Sequence, residues 1–364
     1  MADKSKTQSP SATASDTSPK VAEKYTVITG AGGFIGARLA TKLYARDAKK
    51  PLLLVDNLEY FSTRQCCEPF QEFRNVKYLT PADFIIQLQR GMLAIDEVFH
   101  LGACSRTDET RENFLLENNF RYSQHIWKAC FEQGINLYYA SSAATYGAGE
   151  NGYDDDHTII PRLKPLNLYG WSKQKFDLFV LEKIATGHTP PHWAGFKFFN
   201  VYGPGEEHKG SQATAMLHAF NQYTKNGVMK LFRSHKDGIK DGEQMRDFIF
   251  VDDVCKVLMS FADSAKSKGE SSSVAPFKNG IFNIGTGKAQ TFLTLTEAAA
   301  QAMGIDFKVD WIDTPEKLRE HYQYFTEAKL DRLRAAGYKG EFTSLEDGAK
   351  AFYKEWCQIQ VSDT

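Results

Sequence analysis

The feature that most constrains the fold is a glycine-rich turn between a β-branched run that starts at Tyr25 and a helical pattern that starts at Arg38. The turn has the sequence Gly30-Ala31-Gly32-Gly33-Phe34-Ile35-Gly36. Gly30 permits a tight turn, Gly33 lets backbone N–H groups approach a pyrophosphate, and Gly36 lets the helix pack closely on the strand. The order strand, glycine turn, helix predicts the start of a dinucleotide-binding fold.

The rest of the chain predicts an α/β fold, with a doubly wound parallel Rossmann sheet and a smaller mixed α/β substrate-binding region. Apolar runs at 51–57, 97–104, 136–140 and 194–199 alternate with segments of helical periodicity. This alternation is typical of βαβ units. Since ligands bind at the carboxyl ends of the strands in such sheets, we expect the functional residues there.

We expect three segments along the chain. Residues 1–22 are rich in small and polar residues and predict a disordered tail without the apolar core of a secretory signal. Residues 23–199 form mainly the dinucleotide-binding domain. Residues 200–358 form the substrate-binding region, interleaved with returning Rossmann elements at about 245–290.

Composition excludes several function classes. The net charge is −1, which gives no reason to expect nucleic acid or an anionic membrane as a partner. No apolar run is long enough to span a bilayer. The six cysteines form no C-x-x-C pair and no zinc-like spacing with histidine, so we expect free thiols, no metal site and a cytoplasmic location.

An acid ends the second predicted strand, about 20 residues past the glycines, where a ribose is bound in such folds. This acid, Asp56, favours NAD because a carboxylate repels a 2′-phosphate. Arg64, a little downstream, would offset that repulsion. The alternative role of Asp56 is that of a turn or cap residue.

Tyr169 and Lys173 place a phenol and an ammonium four residues apart, on one face of a predicted helix. A neighbouring lysine favours the phenolate of a tyrosine, whose ordinary pKa is about 10. Ser142 follows a predicted strand, where a substrate hydroxyl is expected. The pair alone is a weak signal, and the glycine turn strengthens it by supplying a cofactor site.

Together with Asn200-Val201-Tyr202-Gly203-Pro204 and Arg246-Asp247-Phe248, these motifs resemble the extended short-chain dehydrogenases/reductases that act on nucleotide sugars. The resemblance covers nearly the whole chain after the tail. Further stretches resemble one family of that group, the ADP-L-glycero-D-manno-heptose 6-epimerases: 100–105, 139–147, 198–204, 208–211 and 333–338.

The resemblance implies roles for matching residues. Tyr169 and Lys209 would be the two acid/base residues, completed by Ser142 and Lys173. NADP, with NAD as the alternative, would be bound by Gly30, Gly33, Phe34, Ile35, Gly36, Asp56, Asn57, Leu101, Gly102, Ala103, Cys104, Ser105, Asn118, Lys173 and Val201. ADP-heptose would be bound by Asn200, Ser211, His218, Phe232, Arg233, Ser234, His235, Arg246 and Tyr322.

The implied reaction interconverts ADP-D-glycero- and ADP-L-glycero-β-D-manno-heptose by transient oxidation at C6″ with bound NADP, which supplies heptose for the lipopolysaccharide core. C6″ bears no acidic C–H, so the configuration cannot be inverted by simple deprotonation. Transfer of a hydride from C6″ to the cofactor is the available route. Once the ketone has turned, a second acid/base is needed, and Lys209 takes that role. A diphosphate clamp is its alternative. The resemblance also suggests a homo-oligomer, with a pentamer as one form.

Several alternatives stay open at this point. Another nucleotide-sugar epimerase, such as a UDP-hexose 4-epimerase, would share the motifs and differ in substrate. Ala143 and Ala144 stand where related dehydratases and decarboxylases carry an acid, which argues against those reactions. A non-catalytic NAD(P)-binding regulator is disfavoured because Ser142, Tyr169 and Lys173 are all present. For His218, helix packing is as good an explanation as a ligand contact.

Overall fold

The protein is described by a computed structural model that covers residues 24–266, 276–319 and 322–362. The predicted tail at 1–22 lies outside the described residues. The strands are β1 Tyr25–Thr29, β2 Leu52–Val55, β3 Val76–Leu79, β4 Ile95–His100, β5 Asn136–Ser142, β6 Trp193–Phe198, β7 Asn200–Tyr202, β8 Met229–Phe232, β9 Met245–Phe250, β10 Gly280–Ile284, β11 Ala289–Thr291 and β12 Val309–Ile312.

The helices alternate with these strands through most of the chain. They are α1 Phe34–Arg46, α2 Tyr60–Thr63, α3 Pro81–Gln89, α4 Glu112–Leu115, α5 Tyr122–Gln133, α6 Leu168–Ala185, α7 Ala215–Asn226, α8 Val251–Lys266, α9 Phe292–Met303, α10 Glu316–Arg319, α11 Asp331–Ala336 and α12 Leu345–Ser362. Short 3-10 helices span Gln65–Glu72, Ala143–Tyr146, Ile160–Arg162 and Glu207–Gln212, and a π-helical segment spans Leu116–Arg121. No helix in the described ranges is both long enough and apolar enough to cross a membrane.

The central sheet of the described chain has seven parallel strands in the order β10-β6-β5-β4-β1-β2-β3. This confirms the predicted doubly wound α/β fold. The chain builds β1, β2 and β3 outward and then crosses back to β4, so the strand order reverses between β1 and β4. Such a switch point leaves a crevice at the carboxyl ends of the strands.

Strand register brings the predicted cofactor and catalytic segments to one edge of this sheet. Thr29 of β1 pairs with His100 of β4, and His100 pairs with Tyr139 of β5. The glycine turn, the 101–105 loop and Ser142 therefore all leave the sheet on the same side.

The second half of the chain builds smaller sheets and also returns to the large one. β11, β9 and β7 form a three-stranded sheet, β12 and β8 form a parallel pair, and β10 joins the central sheet beside β6. A separate apolar core packs α7, α9 and α12 around Phe220 and Phe352. The expected domain boundaries and the expected interleaving of this half stay predictions.

Candidate active site

The glycine turn has the close backbone contacts that its sequence predicts. Gly30 has a φ of +71°, and a Cβ at this position would lie 2.6 Å from the backbone nitrogen of Gly102. A Cβ at Gly36 would lie 2.1 Å from the carbonyl oxygen of Gly30. α1 begins at Phe34 with Gly33 as its cap residue, and no side chain caps it. A helix start of this kind leaves N–H groups for an anion, which fits the diphosphate of a dinucleotide.

Asp56 and Arg64 both bind the backbone of this turn at Gly32. Asp56 Oδ2 accepts a hydrogen bond from the Gly32 N–H at 2.9 Å, and Arg64 Nη1 donates one to the Gly32 carbonyl at 2.8 Å. The guanidinium also stacks on Tyr60, 3.3 Å from the ring centre. Burial raises the pKa of Asp56, whereas its backbone hydrogen bonds and Arg64 lower it. The turn-capping role of Asp56 is thus present, and its contact with a ribose stays a prediction.

Asn119 supports the predicted cofactor loop at 101–105 and was not singled out from the sequence. This asparagine is 1% exposed and exchanges two hydrogen bonds with the backbone of Cys104, at 2.8 and 2.9 Å. Its Nδ2 also donates to Ser172 Oγ at 2.9 Å, so it ties the 101–105 loop to α6. The predicted Asn118 is exposed, and its amide donates to the Phe114 carbonyl. The Asn118-Asn119 pair was visible in the sequence, but the π-helical turn decides which of the two faces inward.

The structure brings Ser142, Tyr169 and Lys173 together at the end of β5. Asn167 caps α6 by accepting a hydrogen bond from the Gly170 N–H at 2.8 Å, which starts the helix just before Tyr169. The Tyr169 side chain forms a hydrogen bond with Ser142. Lys173 is 6% exposed, and its Nζ donates to the Ala140 carbonyl at 3.0 Å. Ser142 and Tyr169 are thus half-buried neighbours, and Lys173 lies one helical turn further along α6 with its ammonium on β5.

Burial dominates the electrostatics of this cluster. It raises the pKa of Tyr169, and the hydrogen bond with Ser142 only partly offsets the rise. The expectation that Lys173 lowers the tyrosine pKa is therefore wrong for the protein alone, because desolvation outweighs it and the Lys173 ammonium is bound to Ala140. Burial also lowers the pKa of Lys173 to about 8, against the opposing charge of Asp177.

Lys209 lies on a separate segment, the 3-10 helix Glu207–Gln212. Its Nζ is 4.2 Å from the centre of the Phe34 ring, at the first residue of α1. The fully buried Glu206 anchors this segment by accepting a hydrogen bond from the Thr214 N–H at 2.7 Å. Burial lowers the pKa of Lys209, while Glu206 and Glu207 raise it. Lys209 is thus a partly desolvated ammonium beside the cofactor turn.

Arg246 is a buried cation without a carboxylate ion pair among the described residues. It is 8% exposed, its Nη1 donates to the Met245 carbonyl, and its guanidinium carbon lies 5.5 Å from the Tyr322 ring centre. The adjacent carboxylate, Asp247, does not form an ion pair with this guanidinium. Asp247 instead accepts hydrogen bonds from Thr286, Gly287 and Ala328, at 2.7 to 3.1 Å. A buried guanidinium without a counter-ion, its pKa lowered by burial, suits an anionic ligand such as a diphosphate.

Aromatic groups surround this guanidinium. The centre of the Tyr322 ring lies 5.9 Å from that of His235 and 5.3 Å from that of Tyr324. Tyr324 also holds His235 through its hydroxyl, 3.0 Å from the His235 backbone nitrogen and 2.9 Å from Nδ1. His235, Arg246 and Tyr322 thus form one group.

Several other predicted substrate residues lie outside the group formed by His235, Arg246 and Tyr322. Arg233 is exposed and pairs with Asp241 at 3.0 Å, so its charge is already engaged. Asn200 and Ser211 are exposed, and His218 lies half-buried on α7. Their contacts with a ligand stay predictions.

Comparisons with known proteins agree with this geometry. A model of the NAD dependent epimerase/dehydratase family matches residues 26–285. A curated ADP-L-glycero-D-manno-heptose-6-epimerase of Fusobacterium nucleatum is 40% identical over 346 residues, covering 91% of this chain and 97% of the relative. The protein of the same name from Nitratidesulfovibrio vulgaris is 41% identical over 332 residues, with the same coverage.

Solved structures support the fold. The UDP-N-acetylglucosamine 4-epimerase of Methanobrevibacter ruminantium superposes with a TM-score of 0.73 at 20% identity, covering 93% of this chain and 99% of that one. The ADP-L-glycero-D-manno-heptose-6-epimerase of Helicobacter pylori gives 0.70 at 23% identity, covering 92% and 96%. The resemblance stated from the sequence motifs is thereby confirmed. The chain belongs to the NAD dependent epimerase/dehydratase family. Within that family it groups with the ADP-L-glycero-D-manno-heptose-6-epimerases.

Proposed function

We propose that this protein is an ADP-L-glycero-D-manno-heptose 6-epimerase, an isomerase that inverts C6″ of ADP-heptose. The observation that carries the proposal is the 40% identity with a relative of that name, which extends over 97% of the relative's length. The proposal is supported by the position of Ser142, Tyr169 and Lys173, which gather at the end of β5, at the same edge of the sheet as the glycine turn.

The site residues supply proton transfer and substrate orientation. A nicotinamide, when bound, supplies a hydride acceptor and donor. Tyr169 removes the proton of the C6″ hydroxyl, and Ser142 donates a hydrogen bond to the oxygen where charge develops. Lys173 binds the Ala140 carbonyl and holds its positive charge on the helix that carries Tyr169, where that charge and the positive ring of an oxidised nicotinamide would together oppose the burial that raises the pKa of Tyr169. Lys209 returns a proton to the same oxygen once the sugar has turned, since that oxygen then lies away from Tyr169.

Arg246 and its aromatic neighbours would hold the other end of the substrate. A guanidinium binds a diphosphate through paired, charge-assisted hydrogen bonds. The Tyr322 and His235 rings beside it offer apolar faces on which an adenosine can pack. Holding the nucleotide there leaves the heptose free to rotate.

We infer NADP as the cofactor. Arg64 follows α2, donates to the Gly32 carbonyl and lowers the pKa of Asp56. Its positive charge would therefore offset the repulsion between the Asp56 carboxylate and a 2′-phosphate. NADP released on denaturing the purified protein, and at least tenfold weaker NADP binding by Arg64→Ala with NAD binding kept, would support this. Copurified NAD, or an unchanged preference in the variant, would contradict it.

We also infer a cytoplasmic homo-oligomer that serves lipopolysaccharide precursor synthesis, with the pentamer as one candidate assembly. This rests on the family and on the absence of a membrane-spanning helix in the described ranges. Light scattering of the purified protein measures the assembly directly, and a monomer at micromolar concentration would contradict it.

The direct test of the function is incubation with ADP-D-glycero-β-D-manno-heptose, followed by NMR of C6″. Appearance of the L-glycero epimer at equilibrium supports the proposal. No inversion there, together with turnover of a UDP-hexose, would assign the protein to the 4-epimerases instead. Bound nicotinamide with no turnover on either substrate would indicate a regulator.

A further inference from the structure

Cys66 lies between the two segments that build the cofactor turn and carry Lys209. On one side its sulfur is 3.8 Å from the Gly32 carbonyl oxygen. On the other side its sulfur is 3.9 Å from Nδ1 of His208, the residue before Lys209. The thiol thus touches both segments at once.

Cys66 packs closely against Gly205 on one side and faces a cavity on another. A Cβ added at Gly205 would lie 3.3 Å from the Cys66 Cβ, which is tighter than an ordinary contact. A cavity of about 260 Å³ adjoins the thiol and is lined in part by Phe34, Arg38 and Glu207. A small reagent can therefore reach Cys66. A group attached to its sulfur must share the space between the Gly32 carbonyl and His208, which lie 3.8 and 3.9 Å from that sulfur, so it would press against the segment that carries Lys209.

The neighbours of Cys66 also make it the reactive member of a thiol pair. Its sulfur is 4.0 Å from that of Cys67. The hydrogen bond from Cys67 lowers the pKa of Cys66, and His208 and Arg64 lower it further. The same pairing and burial raise the pKa of Cys67, which is fully buried. Thiolate is the nucleophile in thiol–disulfide exchange, so Cys66 should react first.

We propose that Cys66 is a site of reversible modification by small-molecule disulfides, and that the adduct displaces the Lys209 segment from Phe34 and stops turnover. The loss of turnover rests on the proposed function. The modification and the displacement do not.

The exchange is balanced without any further reactant. The Cys66 proton passes to His208 Nδ1, and the thiolate attacks one sulfur of the reagent R–S–S–R. A new S–S bond to Cys66 forms as the reagent's S–S bond breaks, and the leaving thiolate takes up the proton as R–SH. Cys66 is oxidised, one half of the reagent is reduced, and excess dithiothreitol reverses the step.

The experiment treats the whole protein with 4,4′-dithiodipyridine under native conditions and maps the adduct by peptide mass spectrometry. Wild-type protein should be modified at Cys66 before Cys357, another partly buried thiol, which serves as the matched control. Because the pKa of Cys66 is lowered by its neighbours, a larger fraction of this thiol stays ionised as the pH falls, and its reaction rate should fall less from pH 8 to pH 6 than that of Cys357. His208→Gln should slow the reaction at Cys66 at least fivefold. Modification of Cys357 first, or an equal pH dependence at both sites, would overturn the assignment of Cys66.

The consequence of the adduct is read in two independent ways. Trypsin should cleave after Lys209 at least fivefold faster in modified wild type, and epimerisation should fall at least tenfold until dithiothreitol is added. Cys66→Ser should show neither change, while Cys357→Ser should behave as wild type. Full modification with unchanged cleavage and turnover would overturn the proposed displacement. If the untreated enzyme lacks epimerase activity, the proposed function fails, whereas the adduct map and the cleavage rate still decide this proposal.

Discussion

The Lys209 ammonium lies 4.2 Å above the centre of the Phe34 ring, and this contact joins the 3-10 helix Glu207–Gln212 to the first residue of α1. Phe34 belongs to the apolar core around Phe220, so the ring is a fixed platform for the ammonium. A cation over an aromatic face gains electrostatic stabilisation that depends on partial desolvation. The same desolvation lowers the pKa of Lys209.

Replacing Lys209 separates its two proposed roles. Lys209→Met should lower kcat by about 10²- to 10⁴-fold, the range of a lost general acid/base, with little change in the affinity for NADP. Lys209→Arg keeps the charge but cannot give up a proton, so it should be as inactive as the methionine variant. Recovery of kcat in Lys209→Arg, measured with saturating ADP-heptose, would make Lys209 a diphosphate clamp.

Arg246 and Asp247 are sequence neighbours with opposite expected phenotypes. Arg246→Met should weaken ADP binding by about 10- to 100-fold, since charge-assisted hydrogen bonds contribute about 1.5–3 kcal/mol. The free energy of unfolding of Arg246→Met should stay unchanged or rise, because no ion pair is lost.

Asp247→Asn should instead be destabilised by about 2 kcal/mol, because three backbone N–H groups donate to this carboxylate. Calorimetric titration with ADP and urea unfolding measure the two effects, and a destabilised Arg246→Met with normal ADP affinity would contradict the assignment.

A buried ion pair joins α6 to β6 behind the predicted catalytic residues. Lys197 Nζ lies 2.6 Å from Asp177 Oδ2, and both side chains are fully buried. Lys197 also donates to Thr145 beside Ser142, and Asp177 is one helical turn from Lys173. Lys197→Met should cost about 3–5 kcal/mol in the free energy of unfolding because it leaves a buried carboxylate without its cation.

The double variant Asp177→Leu/Lys197→Met is the control for that loss. It removes both charges and should recover most of the stability in urea unfolding. If the double variant is as unstable as Lys197→Met, packing and not charge explains the loss.

Lys173 should make stability depend on pH in a defined direction. Its folded pKa of about 8 lies below the ordinary value of 10.5, so between these values the unfolded chain binds more protons. Burial of Lys173 therefore lowers the free energy of unfolding. This loss of stability is complete below pH 8 and disappears as the pH rises toward 10.5. One pKa unit corresponds to about 1.4 kcal/mol, so this loss is about 3 kcal/mol, and loss of the hydrogen bond to Ala140 offsets about 1 kcal/mol of it. Lys173→Met should therefore be about 2 kcal/mol more stable than wild type at pH 7. This gain should shrink above pH 8 in paired unfolding curves, and a gain that is constant with pH would contradict the shift.

The sequence predicted the parts of this protein that local geometry dictates. The glycine turn was predictable because the backbone contacts at Gly30 and Gly36 leave no space for a side chain. The doubly wound sheet followed from the alternation of apolar runs and helical patterns. The approach of Ser142 to Tyr169 followed from the rule that functional residues gather at the carboxyl ends of the strands.

The features that the sequence did not predict depend on contacts between distant segments. The inward position of Asn119 depends on a π-helical turn that shifts the helix phase. The pKa of Tyr169 was predicted in the wrong direction because a pairwise argument about Lys173 left out burial. Cys66 contacts Gly32 and His208, which lie over 30 and over 140 residues from it along the sequence. No local sequence pattern predicts contacts over such separations.

The central claim is inversion by transient oxidation at C6″, and substrate deuterated at that carbon tests it most directly. If hydride leaves C6″ and returns to the same carbon, ADP-L-glycero-β-D-manno-heptose formed in ordinary water should keep its deuterium, and Tyr169→Phe should form none of it. Inverted product that has exchanged the label for solvent hydrogen would contradict the account.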